Sequence, residues 1–268
     1  MSVGSTGQGA APLVVVTGAS SGIGAALVRS VPWGDAEVLG VSRRPPAPPA
    51  RHLALDLAEP ASWAALAVAV AEALDRHPGG RVVVVHAAGT LEPMGFAAQV
   101  DPEAYERAVL LGAATMALGQ RLLGVLARHD APRHLVLLTS GAARTVYLGW
   151  SAYGAAKAAM DQWCRIVGAE EAERGGVRIL AVTPGPVDTP MQAAIRAASA
   201  EAFPARERFA ELHRLDQLPR PEVVAERIWA LLDEDLPSGT VLDLRHQVME
   251  AAGTGASRKP GPAAGGAR

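Results

Sequence analysis

LVVVTGASSGIGAALVRSV, Leu13 to Val31, is the stretch that decides the fold. Leu13 to Thr17 is a continuous apolar, β-branched run, the pattern of a strand buried on both faces. A turn with Gly18, Gly22 and Gly24 follows, and Ala25 onward reads as helix. A strand, a glycine turn and a helix N-terminus together form an anion site. Unpaired backbone N–H groups and the helix dipole point at one spot, and glycine lets the backbone come close to it. The spacing is GxxxGxG rather than GxGxxG, a moderate signal by itself, with an ordinary glycine turn as the lesser alternative until later residues are read.

Outward from this stretch, strand patterns alternate with helix patterns. Strands are predicted over Ala36–Ser42, His52–Leu55, Arg81–His86, His134–Thr139, Val177–Thr183 and Thr240–Leu244. Helices are predicted over Pro60–His77, Asp101–Arg128, Ala152–Arg174 and Pro221–Asp235. Pro78-Gly79-Gly80 ends the first of these. The second is one helix or two broken near Gly112. Ser151 is the expected N-cap of the third, and Gly175-Gly176 its stop. Val187 to His213 is less regular and reads as a mobile cover over a site. The alternation predicts an α/β fold: a single Rossmann-type, doubly wound parallel sheet of about seven strands with helices on both faces. One domain spans 12–250, between a flexible leader (1–11) and a disordered tail (251–268).

The chemistry centres on SGAARTVYLGWSAYGAAK, Ser140 to Lys157. On a helix Tyr153 and Lys157 stand at i and i+4, so a cation emerges beside a phenol. An ammonium there stabilises the phenolate and lowers the tyrosine pKa toward neutrality, which suits proton transfer. Only two lysines occur in the chain, Lys157 and Lys259, against abundant arginine. Lys157 is therefore the single lysine of the expected folded body. Ser140 comes at the carboxyl end of a predicted strand, where ligands sit in open parallel sheets. Ser42-Arg43-Arg44 ends the second strand, where such folds meet the adenosine ribose. An arginine there suits a 2′-phosphate, with Arg43 the leading candidate; a solvated surface pair is the alternative. Ala87-Ala88-Gly89 permits a close backbone approach.

Composition excludes several other classes. About half of the 268 residues are apolar (49%) and the formal net charge is −2, so no basic face argues for nucleic acid. No run of eighteen apolar residues predicts a membrane span. The start of the chain has no signal-peptide pattern, and Cys164 is the only cysteine, so no intrachain disulfide can form. A cytoplasmic location is expected. Cys164 reads as a buried structural thiol. The seven histidines show no metal-binding spacing, so no metal is expected. His86 reads as a locally satisfied histidine.

Over residues 12–245 the chain resembles the short-chain dehydrogenase/reductase family. TGASSGIG at 17–24, Ser140, YGAAK at 153–157 and PGPVDT at 184–189 carry the resemblance. HAAGTLEP at 86–93 and the segment 186–204 are similar to its sepiapterin reductase and benzil reductase branch. The resemblance implies an NADPH-dependent carbonyl reductase acting on a small diketone or pterin-like ketone, with Tyr153 as proton donor. It implies that Ser140 bonds the carbonyl oxygen and that Lys157 binds the cofactor and tunes Tyr153. It implies NADP(H) binding by Gly18, Ser20, Ser21, Gly22, Ile23 and Gly24, with Arg43 on the 2′-phosphate. Asp56, Leu57, Ala88 and Gly89 would lie along the cofactor, and Pro184, Gly185, Val187 and Thr189 beside the nicotinamide. Tyr147, Trp150, Met191 and Phe203 are candidates for the substrate wall, and ordinary packing explains each as well. Asp243 falls where sepiapterin reductases hold the pterin, with a structural role weighing the same. The resemblance also implies a homodimer or homotetramer formed through the helices near 101–128 and 151–174. An alcohol dehydrogenase of a biosynthetic pathway and a non-catalytic nucleotide-binding regulator are the competing readings.

Two departures from the family pattern stand out. Its Asn-Ala-Gly is here Ala87-Ala88-Gly89, and the asparagine of its long helix aligns with Leu111. The chain contains no asparagine at all. The loss is expected to weaken proton relay without removing the acid. Leu111→Asn is thus expected to raise turnover, and an unchanged rate would deny position 111 that role.

Overall fold

The computed structural model describes residues 10–248 except Pro78 and His246. Most of the expected leader (1–9) and the whole expected tail (251–268) lie outside the described residues, as does the helix break expected at Pro78. Seven strands form one parallel sheet: β1 Leu13–Thr17, β2 Glu37–Ser42, β3 Arg51–Ala54, β4 Val82–His86, β5 Arg133–Leu138, β6 Arg178–Thr183 and β7 Thr240–Asp243. Their order is β3-β2-β1-β4-β5-β6-β7. The order reverses between β1 and β4, where Thr17 pairs with His86. A crevice opens at such a reversal beyond the carboxyl ends of the strands.

Successive strand residues point to opposite faces, so one sheet feeds two cores. Leu13, Val15, Val82, Val84, Leu135 and Leu137 pack with the helices α2 (Pro60–Arg76), α3 (Pro102–Leu126) and α4 (Ser151–Glu173). Val14, Val16, Val83, Val85, Val136 and Leu138 pack on the other side. Their partners there are α1 (Gly22–Arg29) and, after two short helices over the carboxyl edge (α5 Pro190–Ala197 and α6 Arg206–Arg214), α7 (Pro221–Ala230).

The structure decides between the readings the sequence left open and shifts some boundaries. The α3 helix is unbroken through Gly112, because that glycine lies against the Ala156 methyl and serves close packing of α3 on α4. By length and composition alone α3 could cross a membrane; here Ala114, Leu118, Leu122 and Leu126 are buried in the core. Ser151 is the first residue of α4 rather than its cap. Trp150 takes the cap position, its carbonyl accepting from Gly154 N–H at 2.8 Å. The ring of Trp150 is held by neighbouring aromatics, which sets where the helix starts. The less regular segment 187–213 resolves into α5 and α6, and Phe203 between them is fully buried. Cys164 is buried, its thiol pushed up to about 12 by burial and the nearby Asp161, as expected of a structural thiol.

A Cβ at Gly168 of α4 would lie 2.2 Å from the backbone of Gly239, just before β7. Gly168→Ala is expected to destabilise the fold by about 1–3 kcal/mol through overpacking. Chemical denaturation beside Gly124→Ala, an α3 position with open space, checks this.

Candidate active site

A cleft of about 720 Å³ lies over the carboxyl ends of the strands, at the reversal of strand order. Its floor is the β1–α1 turn. A Cβ on Gly24 would lie 2.3 Å from the Gly18 carbonyl oxygen, and one on Gly18 would lie 2.9 Å from the Ala88 backbone. The turn therefore exists only because these positions carry no side chain. Ser21 caps α1 without a side-chain hydrogen bond, leaving the first N–H groups of the helix free for an anion. All the cofactor candidates line this cleft: Gly18, Ser20, Ser21, Gly22, Ile23, Gly24, Arg43, Asp56, Leu57, Ala88, Gly89, Pro184, Gly185, Val187 and Thr189.

The loop after β4 is held from beneath. Thr17 Oγ1 accepts from Ala88 N–H at 3.2 Å and shares a hydrogen bond with His86 Nδ1 at 3.0 Å. Burial, reinforced by the Lys157 charge, pulls His86 down to about 3, so the ring stays neutral. At the end of β2, Arg43 and Arg44 are exposed and make no ion pair among the described residues, and Ser42 Oγ fixes their turn by donating to the Arg44 carbonyl at 2.7 Å. Asp56 also lines the cleft, but Arg107 of α3 holds its carboxylate at 2.8 Å. Two unpaired guanidiniums at the end of β2, with Asp56 already taken by Arg107, suit a 2′-phosphate.

Ser140, Tyr153 and Lys157 meet in the same cleft. Lys157 is 7% exposed and donates from Nζ to the Leu138 carbonyl at 2.6 Å; Nζ lies 5.7 Å from the Tyr153 ring centre. Burial lowers its pKa to about 8, against the upward pull of Asp161 one helical turn on. Asp161 is itself held by the Thr139 hydroxyl and by Arg144 at 2.8 Å. The Ser140 hydroxyl accepts from Ala142 N–H at 3.2 Å. The expected lowering of Tyr153 is overturned in this structure. Burial raises the phenol above its ordinary 10.0, and the Ser140 hydroxyl only partly opposes it. Desolvation of the phenolate outweighs a lysine that spends its hydrogen bond on a carbonyl.

Of the substrate candidates, Tyr147, Trp150 and Met191 line the cleft. Phe203 does not: it is 0% exposed and stacks on Trp150 at 4.2 Å, so it supports the wall from behind. Asp243 is also absent from the lining, because Arg245 folds back onto its carboxylate at 2.7 Å, with Arg144 at 3.7 Å. Burial pushes this carboxyl up and the Arg245 hydrogen bonds outweigh it, so the net shift is down. Sequence reading missed Gln192, Arg208 and Phe209, which line the cleft from α5 and α6. Gln192 is 2% exposed with neither amide atom hydrogen-bonded among the described residues. The lone sequence signal was its place one turn after Thr189.

Residues 12–200 match the short chain dehydrogenase family. The chain belongs to that family. It is 29% identical over 238 residues to a benzil reductase of Bacillus subtilis that forms (S)-benzoin, covering 87% of this chain and 98% of the relative. It is 31% identical over 170 residues to the sepiapterin reductase of Bos taurus, covering 61% of each chain. A short chain dehydrogenase/reductase structure from Saccharomyces cerevisiae superposes with a TM-score of 0.76 at 25% identity, covering 90% of this chain and 99% of that one. This short chain dehydrogenase is thus an oxidoreductase of the benzil and sepiapterin reductase-like branch, in a family that binds NAD(P).

The buried lysine has a pH signature. Folded Lys157 releases its proton near pH 8, where an unfolded chain keeps it to about 10.5. Its charge opposes folding fully below pH 8, and that penalty fades as pH rises toward 10.5. Wild type is therefore expected to gain up to about 3 kcal/mol relative to Lys157→Met across this window. Denaturation of both proteins at pH 7, 9 and 10.5 checks the sign.

Proposed function

We propose that this short chain dehydrogenase is an NADPH-dependent carbonyl reductase acting on a small diketone or pterin-like ketone. The observation that carries the reading is the convergence of Ser140, Tyr153 and Lys157 in one cleft with the glycine turn and the unpaired Arg43 and Arg44. The close-fitting Gly18–Gly24 turn would hold the diphosphate, and Arg43, assisted by Arg44, the 2′-phosphate. Bound NADPH supplies the hydride that reduces the carbonyl carbon.

The chain's own residues do the rest. The Ser140 hydroxyl hydrogen-bonds the carbonyl oxygen and orients it. Tyr153 keeps its proton on Oη at neutral pH, because burial raises its pKa, and delivers it to that oxygen as negative charge develops there. Lys157, balanced near 8, holds an ammonium whose proton can restore the phenol. Tyr147 and Trp150, with ring centres 5.1 Å apart and planes tilted by 54°, offer an aromatic corner to an aryl or pterin ring. The regulator reading loses support from the same buried lysine: a charge enclosed at a cost has no use there without proton chemistry.

A homodimer through α3 and α4 belongs to the same proposal. Val109 of α3 and Ile166 of α4 are exposed apolar residues on these helices, 48% and 50% open.

NADPH oxidation with benzil or sepiapterin, followed at 340 nm, tests the function. Tyr153→Phe is expected to cut turnover by about 10²–10⁴-fold. Arg43→Ala is expected to raise KM for NADPH while leaving that for NADH nearly unchanged. Equal use of both cofactors by wild type would refute the 2′-phosphate assignment.

A further inference from the structure

We infer that the substrate end of the cleft is built for a ketone carrying an anionic group, a carboxylate held by Arg208 and Tyr147. Arg208 lies on α6 and lines the cleft. No carboxylate pairs with it among the described residues, whereas Arg214 on the same helix bonds Glu207 at 2.8 Å. Its one side-chain hydrogen bond among the described residues is donation from Nη1 to Tyr147 Oη at 3.3 Å. Tyr147 spends an acceptor lone pair on that contact, so its own proton remains free to donate. A guanidinium and a phenol O–H side by side present several donors and no competing charge, the arrangement that an oxyanion satisfies.

The other charges on the lining do not take this role. Arg245 is consumed by Asp243, and Asp56 by Arg107. Arg43 and Arg44 stand at the end of β2, where the dinucleotide would lie. Glu92, an exposed carboxylate on the lining, makes no ion pair with Arg208. Among the described residues, Arg208 is thus the cation of the substrate wall that no carboxylate answers.

Position fixes the kind of molecule. Tyr147 contacts Trp150 at 5.1 Å between ring centres, and Trp150 contacts Tyr153 at 5.5 Å. Tyr147 at the anion-binding edge and Tyr153 thus both contact Trp150, on an aromatic wall completed by Phe209. An aryl or cyclic ketone with its carboxylate across the ring from the carbonyl reaches both. Its ring would lie on the aromatics while the carbonyl meets Tyr153 and Ser140.

The inference rests on the reductase reading only for calling the ligand a ketone, so the test reads affinity rather than turnover. Titration calorimetry with 4-acetylbenzoate and its uncharged methyl ester compares two ligands of nearly the same shape. The wild-type chain is expected to bind the acid about tenfold more tightly, with the advantage shrinking as salt is raised. In Arg208→Gln the acid-to-ester ratio should fall to about one, and Arg208→Lys should retain part of it. Equal wild-type affinities, or a preference that persists in Arg208→Gln, would overturn the inference. Benzil reduction measured alongside separates the two ideas. An acid preference without reductase activity would sink the reductase reading and leave this one standing.

Discussion

An ammonium enclosed among apolar side chains is tolerated only where other groups answer its charge. Lys157 is answered by the Leu138 carbonyl at the end of β5 and by Asp161 one turn along its own helix. Asp161 is gripped in turn by Thr139, beside Ser140, and by Arg144, which reaches on to Asp243 at the end of β7. One chain of charge thus ties β5, α4 and β7 together beneath the cleft. Ser140 is placed by its neighbours in that chain, and Tyr153 by the helix the chain anchors.

The opposite wall is governed by missing atoms. Gly18 and Gly24 touch where any Cβ would collide, and the small residues Ala87 and Ala88 let the loop after β4 close over them. The family's asparagine would have supplied a polar side chain in that loop. Here Thr17 and a neutral His86 hold the loop backbone from below, so Ala87 needs no polar side chain to keep its place. Leu111 packs against the core of α3 and α4 instead of offering a polar group to Lys157. The lysine donates to the Leu138 carbonyl.

Above the site, aromatic packing does what charge does below it. Trp150 stacks on Phe203 and meets Tyr147, Tyr153 and Phe209, so the start of α4 and the α5–α6 cover form one cluster. Hence Phe203 shapes the cleft without touching it. The cover is attached to the same helix that carries Tyr153, which couples the shape of that end of the cleft to the position of this phenol.

The sequence by itself determined the sheet, the glycine turn and the Ser140–Tyr153–Lys157 set. These depend on local rules: β-branched runs make buried strands, glycine is required at a tight turn, and i, i+4 residues share a helix face. Strand bounds were legible to within a residue for the same reason. The tertiary structure alone decided whose charge meets whose. Asp243 looked available until Arg245 folded back on it, Asp56 until Arg107 arrived from α3, and Tyr153 looked acidified until burial outweighed its lysine. Gln192 and Arg208 gave almost no signal, because their importance lies in the cleft they face, and that cleft is made by segments far apart in the chain. Local sequence encodes backbone preference; pairing and desolvation exist only once distant segments have met.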